Sequence, residues 1–110
     1  MIIITGASRS IGKYLFQEYS SKCAVVGTYL SSQPDFDSGK GKLFKVDVSS
    51  YESVSSFYDT IKDSLRDITL INCAGISYNA FTHKSDPEAW KKVIETNLIG
   101  TYHTDRKSVV

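Results

Sequence analysis

The chain opens with three consecutive isoleucines, Ile2, Ile3 and Ile4, and Thr5–Gly6 ends the run at once. A short, uninterrupted β-branched run has two apolar faces to bury, so it is expected to be a strand inside a parallel sheet covered on both sides. The rest of the chain keeps to that scheme: short apolar runs alternate with stretches of helical period, the pattern of βα units. From Ile11 to Lys22, apolar residues fall at Ile11, Leu15 and Tyr19, a spacing of four that lines one helical face. Cys23 to Tyr29 reads as a second strand. The polar stretch 31–41, with Pro34 and two glycines, reads as a loop.

Leu43 to Val48 is expected to be a third strand, and Ser49 with Glu52 three positions later makes a capping box for the next helix. Val54, Phe57, Tyr58, Ile61 and Leu65 form its apolar stripe. Ile68 to Asn72 is a fourth strand, ended by Ala74–Gly75. Asp86 supplies an N-cap, Pro87 the first helical position, and Trp90, Val93, Ile94 and Leu98 the stripe of a last helix. From Thr104 to Val110 that periodicity is lost. Right-handed crossovers then predict an α/β fold with strand order 3-2-1-4 and helices starting near Ile11 and Ser50 on opposite faces.

The 13 Lys and Arg against 12 Asp and Glu give a net charge of +1, which offers no support for a nucleic-acid partner. No apolar run approaches the ~20 residues that cross a bilayer, and Met1 to Thr5 lacks the layout of a signal peptide, so no membrane association and a cytoplasmic protein are expected. Cys23 and Cys73 sit beside hydrophobic runs and read as buried free thiols. No Cys/His spacing suggests a metal.

The chemistry begins at Thr5-Gly6-Ala7-Ser8-Arg9-Ser10-Ile11-Gly12, between a strand and a helix, where backbone N–H groups and the helix dipole suit a pyrophosphate. Gly6 allows a sharp turn and close approach of the phosphate, and Gly12 allows the helix to pack tightly. Ser10 stands where such turns have another glycine.

Four segments in order resemble the short-chain dehydrogenase/reductase family: Thr5 to Gly12, Asp47–Val48, Asn72-Cys73-Ala74-Gly75 and Asn97-Leu98-Ile99-Gly100. The resemblance implies a Rossmann-type sheet that binds a nicotinamide dinucleotide across the carboxyl ends of its strands. By position, Gly6, Ser8, Arg9, Ser10, Ile11 and Gly12 would cradle the cofactor. Asp47 would meet the adenine amino group with the Val48 backbone nearby. Asn72, Ala74 and Gly75 would stabilise the sheet and line the adenosine ribose, with Cys73 where a second Asn is commoner. Asn97, a polar amide on the helical face of Trp90, Val93 and Ile94, would hold a water in the catalytic proton relay. A simpler role for it is an amide bonded to a neighbouring strand.

No acid stands at the end of the second strand, Tyr29-Leu30-Ser31-Ser32, where one would bind the ribose 2′-hydroxyl of NAD. Arg9 and the Ser31 hydroxyl suit a 2′-phosphate, so NADP is favoured over NAD. The family's catalytic Ser, Tyr and Lys have no counterparts among the 110 residues, and the Tyr-x-x-x-Lys spacing at Tyr58 and Lys62 lies on an apolar helical stripe. The expectation is therefore one domain over 1–110, the cofactor half of a truncated oxidoreductase, inactive alone, with a non-catalytic dinucleotide-binding module as the alternative. Besides the cofactor, the expected partner is another copy of the chain, joined through the fourth strand or the last helix.

Overall fold

Ile3 and Ile4 are both fully buried, on opposite faces of a four-stranded parallel sheet, in the computed structural model, which describes residues 1–108. The strands are β1 (Ile2–Thr5), β2 (Val25–Tyr29), β3 (Lys42–Lys45) and β4 (Thr69–Asn72), in the spatial order β3-β2-β1-β4. The order and the parallel pairing are those the sequence predicts. Ile3 lies between Val26 and Leu70, and Ile4 between Gly27 and Ile71. Because strand side chains alternate between faces, this register separates two cores.

Helix α1 (Ser10–Ser20) covers the Ile4 face and α2 (Tyr51–Ile61) the Ile3 face, on opposite sides as expected. On the α2 side, Val54, Phe57, Tyr58 and Ile61 pack on Ile3, Val26 and Val46, with Leu65 at the margin. The α1 side differs from the reading of its sequence. Its buried positions are Gly12, Phe16 and Ser20, whereas Ile11 is 71% exposed and Leu15 and Tyr19 are only half-buried. A stripe of apolar side chains misleads here because the line of closest approach carries a glycine and a serine. Phe16 fills the space over Gly27, where a Cβ would stand 2.9 Å from its ring.

Other boundaries shift by a residue or more. The N-cap of α2 is Ser50, whose hydroxyl accepts from Ser53 N at 3.2 Å, and not Ser49, whose hydroxyl donates to Asp47 Oδ1. The capping box is thus replaced by a single cap. Cys23 lies in the turn before β2 and is exposed, and Cys73 is half-buried, so both are free thiols but neither is buried. Asp86 caps α3 (Pro87–Ile94) with Pro87 in its first turn, as the sequence predicts. The chain then winds through a π turn, Glu95–Ile99, into α4 (Gly100–Ser108).

The loss of apolar periodicity from Thr104 onward does not end the helix, which runs on as α4 to Ser108; Val109 and Val110 lie outside the described residues. Thr104 is buried and is the hub of the docking. Its carbonyl accepts from the Tyr58 hydroxyl at 3.2 Å, and its own hydroxyl donates to Asn72 Oδ1 at 2.7 Å. Gly100 makes room for Val48, since a Cβ there would stand 2.7 Å from Val48 Cγ2. The pattern of helical apolar residues fades because α4 docks by hydrogen bonds and small residues.

Candidate functional site

The carboxyl ends of all four strands open on one cleft of about 650 Å³. Its floor is the turn from β1 to α1. Gly6 adopts φ +66° with its α-carbon against the backbone of Ala74, where a Cβ would come within 2.7 Å, so no other residue fits without moving the segment after β4. Gly12 packs on the Gly6 carbonyl, which brings the first turn of α1 down onto the strand end. Ser10 takes φ +55°, the left-handed conformation that a glycine adopts freely. The N-cap of α1, Arg9, makes no side-chain cap, and the first turn has no acid. The leading amides and the positive end of the helix dipole therefore face the cleft without a built-in anion.

Thr5, buried at the end of β1, ties this floor to the next wall: its hydroxyl oxygen accepts from Cys73 N and Ala74 N, both at 3.1 Å. Cys73, Ala74 and Gly75 line the cleft after β4. Burial pushes the Cys73 thiol up, which keeps it protonated and unreactive. Asn72, grouped with these residues in the sequence, is not among the lining; its amide oxygen is engaged by Thr104.

Asn97 lies in the π turn, a backbone form that concentrates at functional sites. Its side chain forms a two-way clamp, Oδ1 accepting from Ile76 N at 2.9 Å and Nδ2 donating to Ile76 O at 2.8 Å. Its main-chain oxygen accepts from the Thr101 hydroxyl at 2.7 Å. The amide is thus satisfied by the non-strand segment after β4, and Ile76 and Ser77 are held in the cleft wall.

At the other end lie the residues after β2 and β3. Thr28 to Ser32 line the cleft without an acid. The first acid beyond them, Asp35, meets Lys13 Nζ at 3.3 Å and is not part of the lining. Asp47 receives Ser49 N at 3.0 Å and the Ser49 hydroxyl at 2.6 Å on Oδ1. The Val48 carbonyl accepts from His103 Nδ1 at 2.9 Å, so α4 fixes the backbone beside Asp47.

Of the residues singled out in the sequence, the cleft brings together Gly6, Ser8, Arg9, Ser10, Ile11, Gly12, Ser31, Asp47, Val48, Ala74 and Gly75. Sequence reasoning missed Lys92 and Thr96, which reach it from α3 and the π turn. Their spacing of four was the available signal.

The model of the family described as short chain dehydrogenase matches residues 1–109. A 3-oxoacyl-(acyl-carrier-protein) reductase of Haemophilus influenzae is 32% identical over 94% of this chain and 46% of its own length. An acetoacetyl-CoA reductase of Paracoccus denitrificans is 31% identical over 92% of this chain and 44% of its own. The chain thus spans a little under half the length of these relatives. A short chain dehydrogenase of Leptospira borgpetersenii, solved with bound NAD+, superposes with a TM-score of 0.88 at 28% identity, covering 97% of this chain and 43% of that one. Among the described residues, no helix is long and apolar enough to cross a membrane.

Proposed function

The chain belongs to the short-chain dehydrogenase family, and we propose that it is the dinucleotide-binding domain of an NADP-dependent oxidoreductase moving hydride between cofactor and a carbonyl or alcohol. The observation that carries this reading is the uncapped, acid-free start of α1 beneath a glycine turn that no side chain fills. Free amides at a helix start beneath such a turn suit an anion such as a pyrophosphate. When bound, the nicotinamide supplies the hydride chemistry.

In this proposal the backbone of Gly6, Ser8, Ser10, Ile11 and Gly12 holds the pyrophosphate. Asp47, with Oδ1 taken by Ser49, offers its other carboxylate oxygen to the adenine amino group beside Val48. Ala74 and Gly75 flank the adenosine ribose, and Asn72 supports them from outside through Thr104. Asn97 acts as a positioning residue through Ile76, and its main-chain oxygen is the atom for a relay water. Residues 1–110 form one such domain. A second copy of the chain is the partner expected at the open edge of β4 or on the face carrying Trp90 and Leu98, which are 60% and 67% exposed.

The preference for NADP rests on Arg9 and on the acid-free end of β2. Among the described residues no carboxylate pairs with Arg9, and Asp35 is turned to Lys13. Calorimetric titration tests this: NADP+ should bind about tenfold more tightly than NAD+, the worth of one charge-assisted phosphate contact. Arg9→Ala should bring the two affinities together. Equal affinities in the unaltered chain, or a ratio indifferent to Arg9→Ala, overturn the assignment.

A further inference from the structure

Glu88 precedes Lys92 by four residues on α3, the order and spacing at which a helical ion pair is favoured. The same i,i+4 order at the end of α1, from Glu18 to Lys22 in the turn that follows it, is closed at 2.6 Å. On α3 the pair is not made among the described residues, and Lys92 instead lines the cleft, one turn ahead of Thr96. A cation with an available local partner thus stands at a pocket wall whose floor is built for an anion. The β3-β2-β1-β4 order gives its position along the cleft. Asp47 marks the β3 end, Arg9 and the start of α1 the middle, and the Ile76–Ser77 wall the β4 end; Asn97, five residues after Lys92, is bonded to Ile76, which brings the α3 side of the chain to that end.

We infer that Lys92 is a second cation for the bound dinucleotide, meeting the phosphate on its nicotinamide side while Arg9 serves the adenosine ribose. The inference rests on the cofactor-binding reading above and adds to it a residue from a helix outside the glycine turn. With adenine at Asp47 and the pyrophosphate over α1, the ligand extends to the β4 side, so its nicotinamide half alone comes within reach of α3. A lysine there is a point charge on a flexible stem, suited to a phosphate oxygen and needing no fixed geometry.

The test uses two ligands and two variants. Adenosine 2′,5′-bisphosphate contains the adenosine half of NADP and lacks the nicotinamide half. In calorimetric titrations of the full chain, Lys92→Gln should weaken NADP+ about tenfold, the effect of one charge-assisted contact, and leave the bisphosphate within about twofold. Lys92→Arg should restore NADP+ binding, because it restores the charge. Equal losses for both ligands, or no loss for NADP+, overturn the role of Lys92. If the unaltered chain binds neither ligand, the cofactor reading itself falls and this inference with it. Lys92 is exposed, and unchanged circular dichroism of both variants separates a binding effect from unfolding.

Discussion

Ser10 is held at φ +55°, and replacing it with glycine should stabilise the chain. An L-residue in the left-handed region costs roughly 1–2 kcal/mol relative to its preferred conformations. Glycine removes that penalty and returns roughly 0.5–1 kcal/mol of it through the greater freedom of its unfolded state. The balance for Ser10→Gly is a gain of about 0.5–1 kcal/mol, or about 2–4 °C in Tm for a chain of this size. Ser10 is exposed, so its hydroxyl stays hydrated and its removal leaves no buried group unpaired. Asp67, at φ +47°, provides an internal comparison. Aspartate tolerates the left-handed region better than serine does, so Asp67→Gly should gain less. Urea denaturation followed by circular dichroism, at one low protein concentration, should raise the midpoint in the order Ser10→Gly above Asp67→Gly above the parent, with the slope unchanged. Ser10→Ala should give no gain, since alanine keeps the Cβ. A Ser10→Gly chain no more stable than the parent would refute the strain argument, and so would equal stabilisation by alanine.

Phe16→Ala empties the space over Gly27 and should destabilise the fold by about 3–5 kcal/mol in the same assay, a large share of a small domain's stability; a loss under about 1 kcal/mol would mean that Phe16 is not the keystone of the α1 face. Tyr58 is pushed up to about 12 from its ordinary 10.0, first by desolvation and then by Asp105. Its folded pKa exceeds its unfolded one, so its stabilising effect is complete below about pH 10 and is lost as the pH rises from about 10 towards about 12. Tyr58→Phe should therefore be less stable at neutral pH, having lost the bond to Thr104, and should show a shallower decline above about pH 10; parallel pH profiles would contradict this. Sedimentation at tens of micromolar should detect self-association, and Leu70→Lys should reduce it if β4 is the contact; a monomer throughout would dismiss that partner.

The strands and their order were legible because β-branched runs with no polar interruption have few places to go in a small α/β fold. The α2 stripe was equally legible, since every position on it is a large apolar side chain. The face of α1 was not, because contact there is made through Gly12, whose importance is the absence of a side chain, and Ile11 is spent at the cleft mouth. The glycine turn and the Asp47, Ala74 and Gly75 positions stood out as local motifs. Lys92 and Thr96 did not, because a spacing of four puts them on one helical face without telling that this face meets a cleft formed by residues far earlier in the chain. The continuation of the last helix was hidden for a related reason: Thr104 docks through hydrogen bonds, and hydropathy does not register them.

The two amides that point at the Thr5 hydroxyl have a consequence for motion. Parting the β1 turn from the segment after β4 would break both bonds at once, each worth about 1 kcal/mol net, and would expose a buried hydroxyl. Parting these two walls therefore costs about 2 kcal/mol in hydrogen bonds alone, which favours their moving together. The α3 side has its own double tie in the Asn97 clamp, whereas the 31–41 loop meets α1 through the Lys13–Asp35 pair, whose aspartate is largely exposed and whose worth is smaller, so opening of the cleft is easiest there. A ligand entering as proposed would then meet a floor already set in place and a loop side free to adjust.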